Sequence, residues 1–443
     1  MEKDNLFESG SISRTYFMLA LPVVLSMVLS VVYNVADTYF IARTQDKDLI
    51  AAVSLCAPAF TLLMAFGNIF GQGGTSLISR LFGRGDTEGT KRVSSFCFAA
   101  SVAVGIALCL LMLLLHRPIL HLLGANEDSY EHAYDYFMTL AAGAPFIVAS
   151  FIPLNLLRAE GLSRESMAGS VSGLIVNIIL DPIFISGLGW GAFGAALASV
   201  IGYAFSDVFL IAVLLKKSRI LSVDPRRAGC RGKEAGQILA IGTSAAVTNI
   251  MSSVCIVVLN QYLLSYGNSH IAAMGIAQKI SMVILLILVG MSFGASPIVG
   301  YYYGGQQYGR LKELLKFLAK VIGGTALVMT AVLFLLAGPC VGIFIQDETI
   351  LGMGARMLRW QIVSMVFAAA VMVITICFQA SGMALEALLS SVCRQGVIFV
   401  IVIVIASAAA GLPGILASQA ISDVVTVILL GILFRKRFYS KIR

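Results

Sequence analysis

The sequence predicts an all-α polytopic membrane protein: twelve transmembrane helices forming two pseudo-symmetric six-helix lobes. Two observations carry that expectation. Of 443 residues, 58% are hydrophobic and only 12% charged, and the mean hydropathy of +0.91 lies outside the range of soluble domains. The second is an internal repeat with one fixed offset, about half the chain. Ile50-Ala51-Ala52-Val53 returns as Ile271-Ala272-Ala273-Met274, Gly83 returns as Gly304, and Arg158-Ala159-Glu160-Gly161 returns as Gln379-Ala380-Ser381-Gly382. Three segments hold the same offset without net insertion, so the chain is a duplicated unit. Internal duplication in a membrane protein points to transport.

The apolar runs justify the spans. Val93 to Leu115 carries no charge, and Val397 to Phe434 carries only Asp423. Such runs exceed the roughly 20 residues needed to cross a bilayer. Backbone groups in hydrocarbon must be satisfied internally, so the spans are helices, and the short alternating segments of a barrel are absent. The spans are expected at about 15–42, 50–82, 93–115, 133–157, 166–186, 191–215, 236–265, 271–303, 314–337, 358–383, 392–409 and 413–434. The first is too long for a signal-peptide core and reads as a retained helix. Eight cysteines are scattered without a Cys-x-x-Cys pair and read as packing residues.

Charge sets the orientation. Numbering the loops alternately places 25 of the 31 basic residues, from Lys3 to Arg443, on one side, and five on the other, with Lys279 inside a span. Positive loops face the cytoplasm, so both termini are expected there. The net charge of +8 is thereby a topological signal, and no nucleic-acid partner is expected. The basic stretch 216–235 reads as a cytoplasmic linker between an N-lobe of residues 1–215 and a C-lobe of residues 236–443. Six spans per half give both halves the same orientation, with a cavity expected between them.

Charge inside a membrane is costly and marks candidate functional residues. Asp37 lies late in span one and Asp181 late in span five, each about six residues before its exit. Both spans run outward, so the two acids are expected at one depth, about 9 Å from the outer end. Asn177 shares a helix face with Asp181, and Ser199 in span six reaches a comparable level. Two carboxylates removed from water either share protons or bind a cation. The alternative is a polar cluster that only locks helices together. Shifted by the repeat offset, Asn177 and Asp181 become Ile398 and Val402, so ion coupling is expected in the N-terminal half alone. Asn34, Tyr136 and Asn155 are candidate neighbours of the ion site. No metal site is expected beyond sodium at Asp37, Asn177 and Asp181.

Other charges read as structural. Asp207 and Asp423 look like helix-packing residues, Arg394 opens span eleven and can snorkel to the cytoplasmic surface, and Glu160 lies near enough to the interface to be solvated. Apart from Lys279, no arginine or lysine is expected buried in the spans. Pro22 shares a helix with Asp37 and is a candidate hinge. No catalytic constellation such as His-Glu-x-x-His is found, so the chain reads as a transporter, not an enzyme, and needs no cofactor.

Ala20-Leu21-Pro22 followed by Tyr33-Asn34-Val35-Ala36-Asp37-Thr38 resembles the first span of multidrug and toxic compound extrusion (MATE) transporters. Gly71-Gln72-Gly73-Gly74-Thr75-Ser76, Asn177 to Pro182, and Pro297 to Gly304 resemble later segments of that family. The likeness runs from about residue 10 to 435 and is strongest to the branch named for a DNA-damage-inducible member, or a related multidrug pump. It implies twelve helices in two lobes and antiport of drug-like, often cationic compounds against protons or sodium. It also implies a bacterial inner-membrane location, a monomer, and small organic substrates, with the lipid bilayer as the other partner. In that branch the cation site uses positions matching Asp37, Asn177, Asp181 and Ser199, and Pro22 matches a proline implicated in bending span one. The acids that another branch carries in spans seven and ten are absent here, where Thr248, Asn249, Ser252 and Gln379 stand. The alternative reading is a flippase or exporter of a lipid-linked or peptide product.

Overall fold

A computed structural model of the protein describes residues 6–125, 129–344 and 348–442. Lys3 and Arg443, counted above among the basic residues, lie outside them. All regular secondary structure among the described residues is helical. Twelve helices are long and apolar enough to cross a membrane. They are α1 (Ile12–Arg43), α2 (Lys47–Gly83), α3 (Thr87–Leu114), α4 (Tyr130–Ala159), α5 (Ser163–Gly187), α6 (Gly191–Lys217), α7 (Gly232–Leu264), α8 (Asn268–Gly304), α9 (Tyr308–Leu335), α10 (Glu348–Ala380), α11 (Ala384–Ala410) and α12 (Leu412–Tyr439). Large apolar side chains such as Leu114, Leu335 and Val208 stand open on their surfaces, as expected of helices solvated by lipid.

The repeat persists in the helix boundaries. Lys47, Thr87, Ser163 and Gly191 open α2, α3, α5 and α6, and Asn268, Tyr308, Ala384 and Leu412 open α8, α9, α11 and α12, each at the same offset from its twin. Even the short helix beginning at His116 recurs at Ala337. Asp46 caps α2 by accepting from the Asp48 and Leu49 amides, and Asp86 caps α3 by accepting from Gly89. Such caps satisfy amides that would otherwise lack partners.

The chain packs as two compact units, Leu25–Gly242 and the residues up to Val24 together with those from Thr243 onward. This division differs from the expected one, which placed residues 1–215 in one lobe, 236–443 in the other and a linker between. Each unit instead takes in the opening turns of the other half's first helix. The reason is close backbone packing at glycines. In the first unit, a Cβ on Gly73 would lie 2.1 Å from the Ile238 carbonyl, and one on Gly242 would lie 2.0 Å from that of Ile69. In the second, a Cβ on Gly294 would lie 2.4 Å from Ala20 Cα. Gly73 and Gly294 are equivalent positions of the repeat, so the same join was built twice. The linker is tied to the first unit as well: Arg92 pairs with Glu234 at 2.8 Å, and the Ser222 amide donates to Ser94 Oγ at 2.9 Å.

Glu160 is less solvated than expected. It accepts from the Arg219 amide at 3.0 Å, its second oxygen is buried, and burial raises its pKa above the ordinary carboxylate range.

The glycine joins predict a stability difference. Gly294→Leu and Gly73→Leu should each destabilise the purified protein by about 1–3 kcal/mol through overpacking. Gly323→Ala, in a helical position with open space around it, should cost nothing, because alanine is the better helix former. Thermal melting in detergent measures all three.

Candidate functional site

Four of the predicted residues meet within the unit Leu25–Gly242. Asp37 projects from α1, Asn177 and Asp181 from α5, and Ser199 from α6. Asn177 Nδ2 donates to Ser199 Oγ at 3.2 Å. Asp181 is 0% exposed and Asn177 2% exposed. The two carboxylates lie within electrostatic reach of each other. Neither Asp181 oxygen nor Asn177 Oδ1 has a hydrogen-bond partner among the described residues. Three buried oxygens on one face of the helix thus have no proton to accept. Native interiors avoid that arrangement unless the site has a use for it.

Asp181 closes the regular part of α5, and Pro182 begins a π-turn that runs to Gly187. Proline lacks an amide hydrogen and breaks the regular ladder there, which fixes the end of the helix next to the acid. Ile41, Leu49, Ile185, Ala192 and Ala195 form a buried apolar cluster with Tyr136 packed against it.

Three tyrosines complete the group. Tyr33 lies beside Asp37, Ser199, Tyr136 and Tyr203, and Tyr136 lies within electrostatic reach of both acids. Of the three candidate neighbours, only Tyr136 joins the cluster. Asn34 is exposed and its amide donates back to the Ser30 carbonyl at 2.7 Å. Residues three and four positions before Asp37 lie on opposite sides of its helical stripe, and Tyr33, not Asn34, is on the inner side. Asn155 is nineteen residues beyond Tyr136 on α4, about 28 Å along the helix. It bonds the Phe151 carbonyl and packs against Gly71. Tyr33 and Tyr203 were missed by sequence reasoning. The i−4 spacing to Asp37 was the available signal for Tyr33; for Tyr203 there was none. Pro22 lies inside a continuous α1, two residues before the point where the compact units divide.

The duplicated half corrects two expectations. α11 begins at Ala384, eight residues before its expected start, so Arg394 lies ten residues inside it. Arg394 does not snorkel to the surface: its Nε donates to Asp423 Oδ1 at 3.2 Å, and the side chains are 11% and 0% exposed. Nor are the helices free of buried basic residues. Arg80 and Arg158 are buried, with Arg158 Nε donating to Ser166 Oγ at 3.1 Å, whereas Lys279 is exposed.

One pentapeptide, Gly290-Met291-Ser292-Phe293-Gly294, has the spacing of a hydrolase nucleophile turn. It lies inside α8, with Ser292 Oγ bonded to the Leu288 carbonyl and both glycines packed on α1. A continuous helix does not give the strand-turn-helix setting that exposes such a serine.

The MatE family model matches residues 22–183 and again 244–405. The chain belongs to the MATE family. The paired match repeats the duplication at nearly the same offset. Multidrug export protein MepA of Staphylococcus aureus is 31% identical over 94% of this chain and 92% of its own length. MepA of Staphylococcus saprophyticus is 31% identical over 95% and 92%. Among solved structures, MATE in complex with MaD3S gives a TM-score of 0.92 at 26% identity, covering 99% of both chains. An outward-facing multidrug resistance MATE family transporter of the MOP superfamily gives 0.92 at 25% identity, covering 99% of this chain and 98% of its own.

The Asp181 oxygens have no hydrogen-bond partner among the described residues, whereas Asp423 holds a buried ion pair. Asp181→Asn should leave the melting temperature of this MATE protein unchanged or raised, since no hydrogen bond is lost and a buried charge is removed. Asp423→Asn weakens the counter-charge of Arg394 and should lower it, within the roughly 3–5 kcal/mol cost of breaking a buried pair.

Proposed function

We propose that this chain is a secondary active multidrug exporter that moves drug-like organic compounds, often cationic and amphipathic, out of the cell in exchange for protons or sodium. The observation that supports it most is the set of three buried oxygens of Asp181 and Asn177, without hydrogen-bond partners among the described residues, beside the Asp37 carboxylate. A proton satisfies one carboxylate oxygen and lets it donate to another. A sodium ion accepts all three oxygens, with Asp37 and Ser199 at hand. The residues present fit either ion.

In this scheme the ion enters from outside and occupies the cluster. Binding shifts the balance between inward- and outward-open states, by no more than the ion's differential affinity for them. Tyr33, Tyr136 and Tyr203 exclude bulk water and supply hydroxyls to whichever species is bound. Export of several substrates by the MepA proteins, as their name states, favours this reading over the movement of a single lipid-linked or peptide product. We place the protein in the bacterial inner membrane with both termini cytoplasmic, on the asymmetry of its basic residues.

Proteoliposomes carrying independently imposed sodium and pH gradients test the proposal with ethidium as substrate. Wild type should export under at least one gradient. Asp37→Asn should lose gradient-driven export with its melting temperature retained, whereas Asn34→Ala and Asn155→Ala should stay within about twofold of wild type, as side chains outside the cluster. Undiminished export by Asp37→Asn would refute the coupling role.

A further inference from the structure

The second half carries a polar site that the first half lacks. In the repeat, Arg394 and Asp423 are the counterparts of Gly173 and Gly202. Those two glycines touch: a Cβ on Gly173 would lie 2.6 Å from the Gly202 carbonyl, and one on Gly202 would lie 2.8 Å from that of Gly173. The fold at this position therefore needs no charge, and close packing of small residues suffices in one copy. In the other copy a charged pair replaces them, and α11 widens into a π-turn from Cys393 to Val397, with Gly396 leaving the helical conformation at φ −113° and ψ −105°. Interruptions of this kind concentrate at functional sites.

The pair is only partly used within the protein. Asp423 Oδ1 accepts from Arg394 Nε and from Gln419 Nε2, both at 3.2 Å. Asp423 Oδ2 is buried and hydrogen-bonds to no described residue. Arginine offers five N–H donors in a planar fork. Here only Nε is engaged, and Nη1 and Nη2 donate to no described residue, yet they are not among the sealed unpartnered atoms. A structural Arg–Asp lock usually uses the fork bidentately. Here the fork is left over. Neighbouring groups are polar or soft: Cys255 on α7 bonds Gln419 Oε1 at 3.3 Å, and Ser252 bonds Gln395.

Depth adds to the case. Arg394 lies ten residues after Ala384, and Asp423 lies eleven after Leu412, or about 15 Å along each helix. These helices run for 27 and 28 residues, so both side chains lie in the middle part of their helices, far from either end. Lipid headgroups do not reach there, but the substrate sites of transporters do lie there.

We infer that Arg394, held end-on by Asp423 between α7, α11 and α12, binds the carboxylate of a zwitterionic organic substrate through its free Nη fork. The paired side chains are together neutral, so a zwitterion adds no net charge to a site in hydrocarbon, whereas a simple anion would. This rests on the export reading and assigns, within it, the side chain that recognises a substrate carboxylate.

A matched pair of fluorescent probes tests it. Rhodamine 110 has a free carboxylate, and rhodamine 123 is its methyl ester, a cation of nearly the same shape. Their affinities for the full-length protein in nanodiscs are measured by fluorescence anisotropy, for wild type, the double variant Arg394→Gln/Asp423→Asn, and Arg394→Lys. The double variant removes both charges together, so neither is left stranded. The ratio of rhodamine 110 to rhodamine 123 affinity should fall about tenfold or more in the double variant, the scale of a lost charge-assisted hydrogen-bond pair. It should fall by a smaller factor in Arg394→Lys, which keeps the charge without the fork. An unchanged ratio in both variants overturns the proposal. So does equal loss of both probes in a variant that melts normally, since the pair would then be general to the fold, and so does failure of wild type to bind rhodamine 110. Gradient-driven ethidium export by the same preparations separates the cases: export with an unchanged ratio sinks this site alone, and no export under any gradient sinks the exporter reading.

Discussion

A polar atom in hydrocarbon costs several kcal/mol unless something satisfies it. Most of this fold obeys that rule locally. Serine and threonine hydroxyls along the helices return to carbonyls three or four residues earlier, as Ser101, Ser150, Ser292 and Thr426 do. Against that background, the Asp181 carboxylate and the Asn177 carbonyl oxygen are conspicuous. They are buried as deeply as any leucine of the core, and no donor among the described residues faces them. The proposed exchange of a cation or proton depends on that deficit, because an already satisfied site would gain nothing from an ion.

The duplication sets that deficit against a second copy that lacks it at the matching positions. Two copies of one helical plan keep their helix starts in register across the whole repeat while differing in where polar groups are placed. One copy concentrates them on Asp37, Asn177 and Asp181. The other places Arg394 and Asp423 at a point where its twin has two glycines in contact. The shared features, including the glycine joins of α2 to α7 and of α8 to α1, belong to architecture. The unshared ones are where the proposals place the chemistry, since packing alone would favour the same residues twice.

Much of this was legible in the sequence. Hydropathy and the constant repeat offset suffice for twelve helices, the ordered motifs from Ala20 to Gly304 point to the family, and acids at matched positions in the apolar runs single out Asp37 and Asp181 as candidates. What was not legible depends on helix phase and on where helices begin. Asn34 and Tyr33 are adjacent in sequence, yet only one turns inward. Asn155 is polar and on the right helix but sits far along it from Tyr136. Arg394 looked like a helix-opening residue because the apolar run of span eleven starts late, while the helix itself starts at Ala384. Hydropathy marks where the chain is greasy, and a polar first turn packed inside protein is invisible to it. The two-unit division at Val24 and Gly242 was hidden for a related reason: it falls inside continuous helices, where composition does not change.

Exchange of a bound proton or cation at the unpartnered oxygens would change the ionisation of Asp37 and Asp181. Infrared difference spectroscopy of the purified protein measures this directly, recording the carboxyl stretch as sodium or acid is added. A protonation band should rise with acid or fall with sodium in wild type, and should be absent or altered in both Asp37→Asn and Asp181→Asn. A spectrum that neither ion changes in wild type, or one that the two substitutions leave intact, would contradict the account.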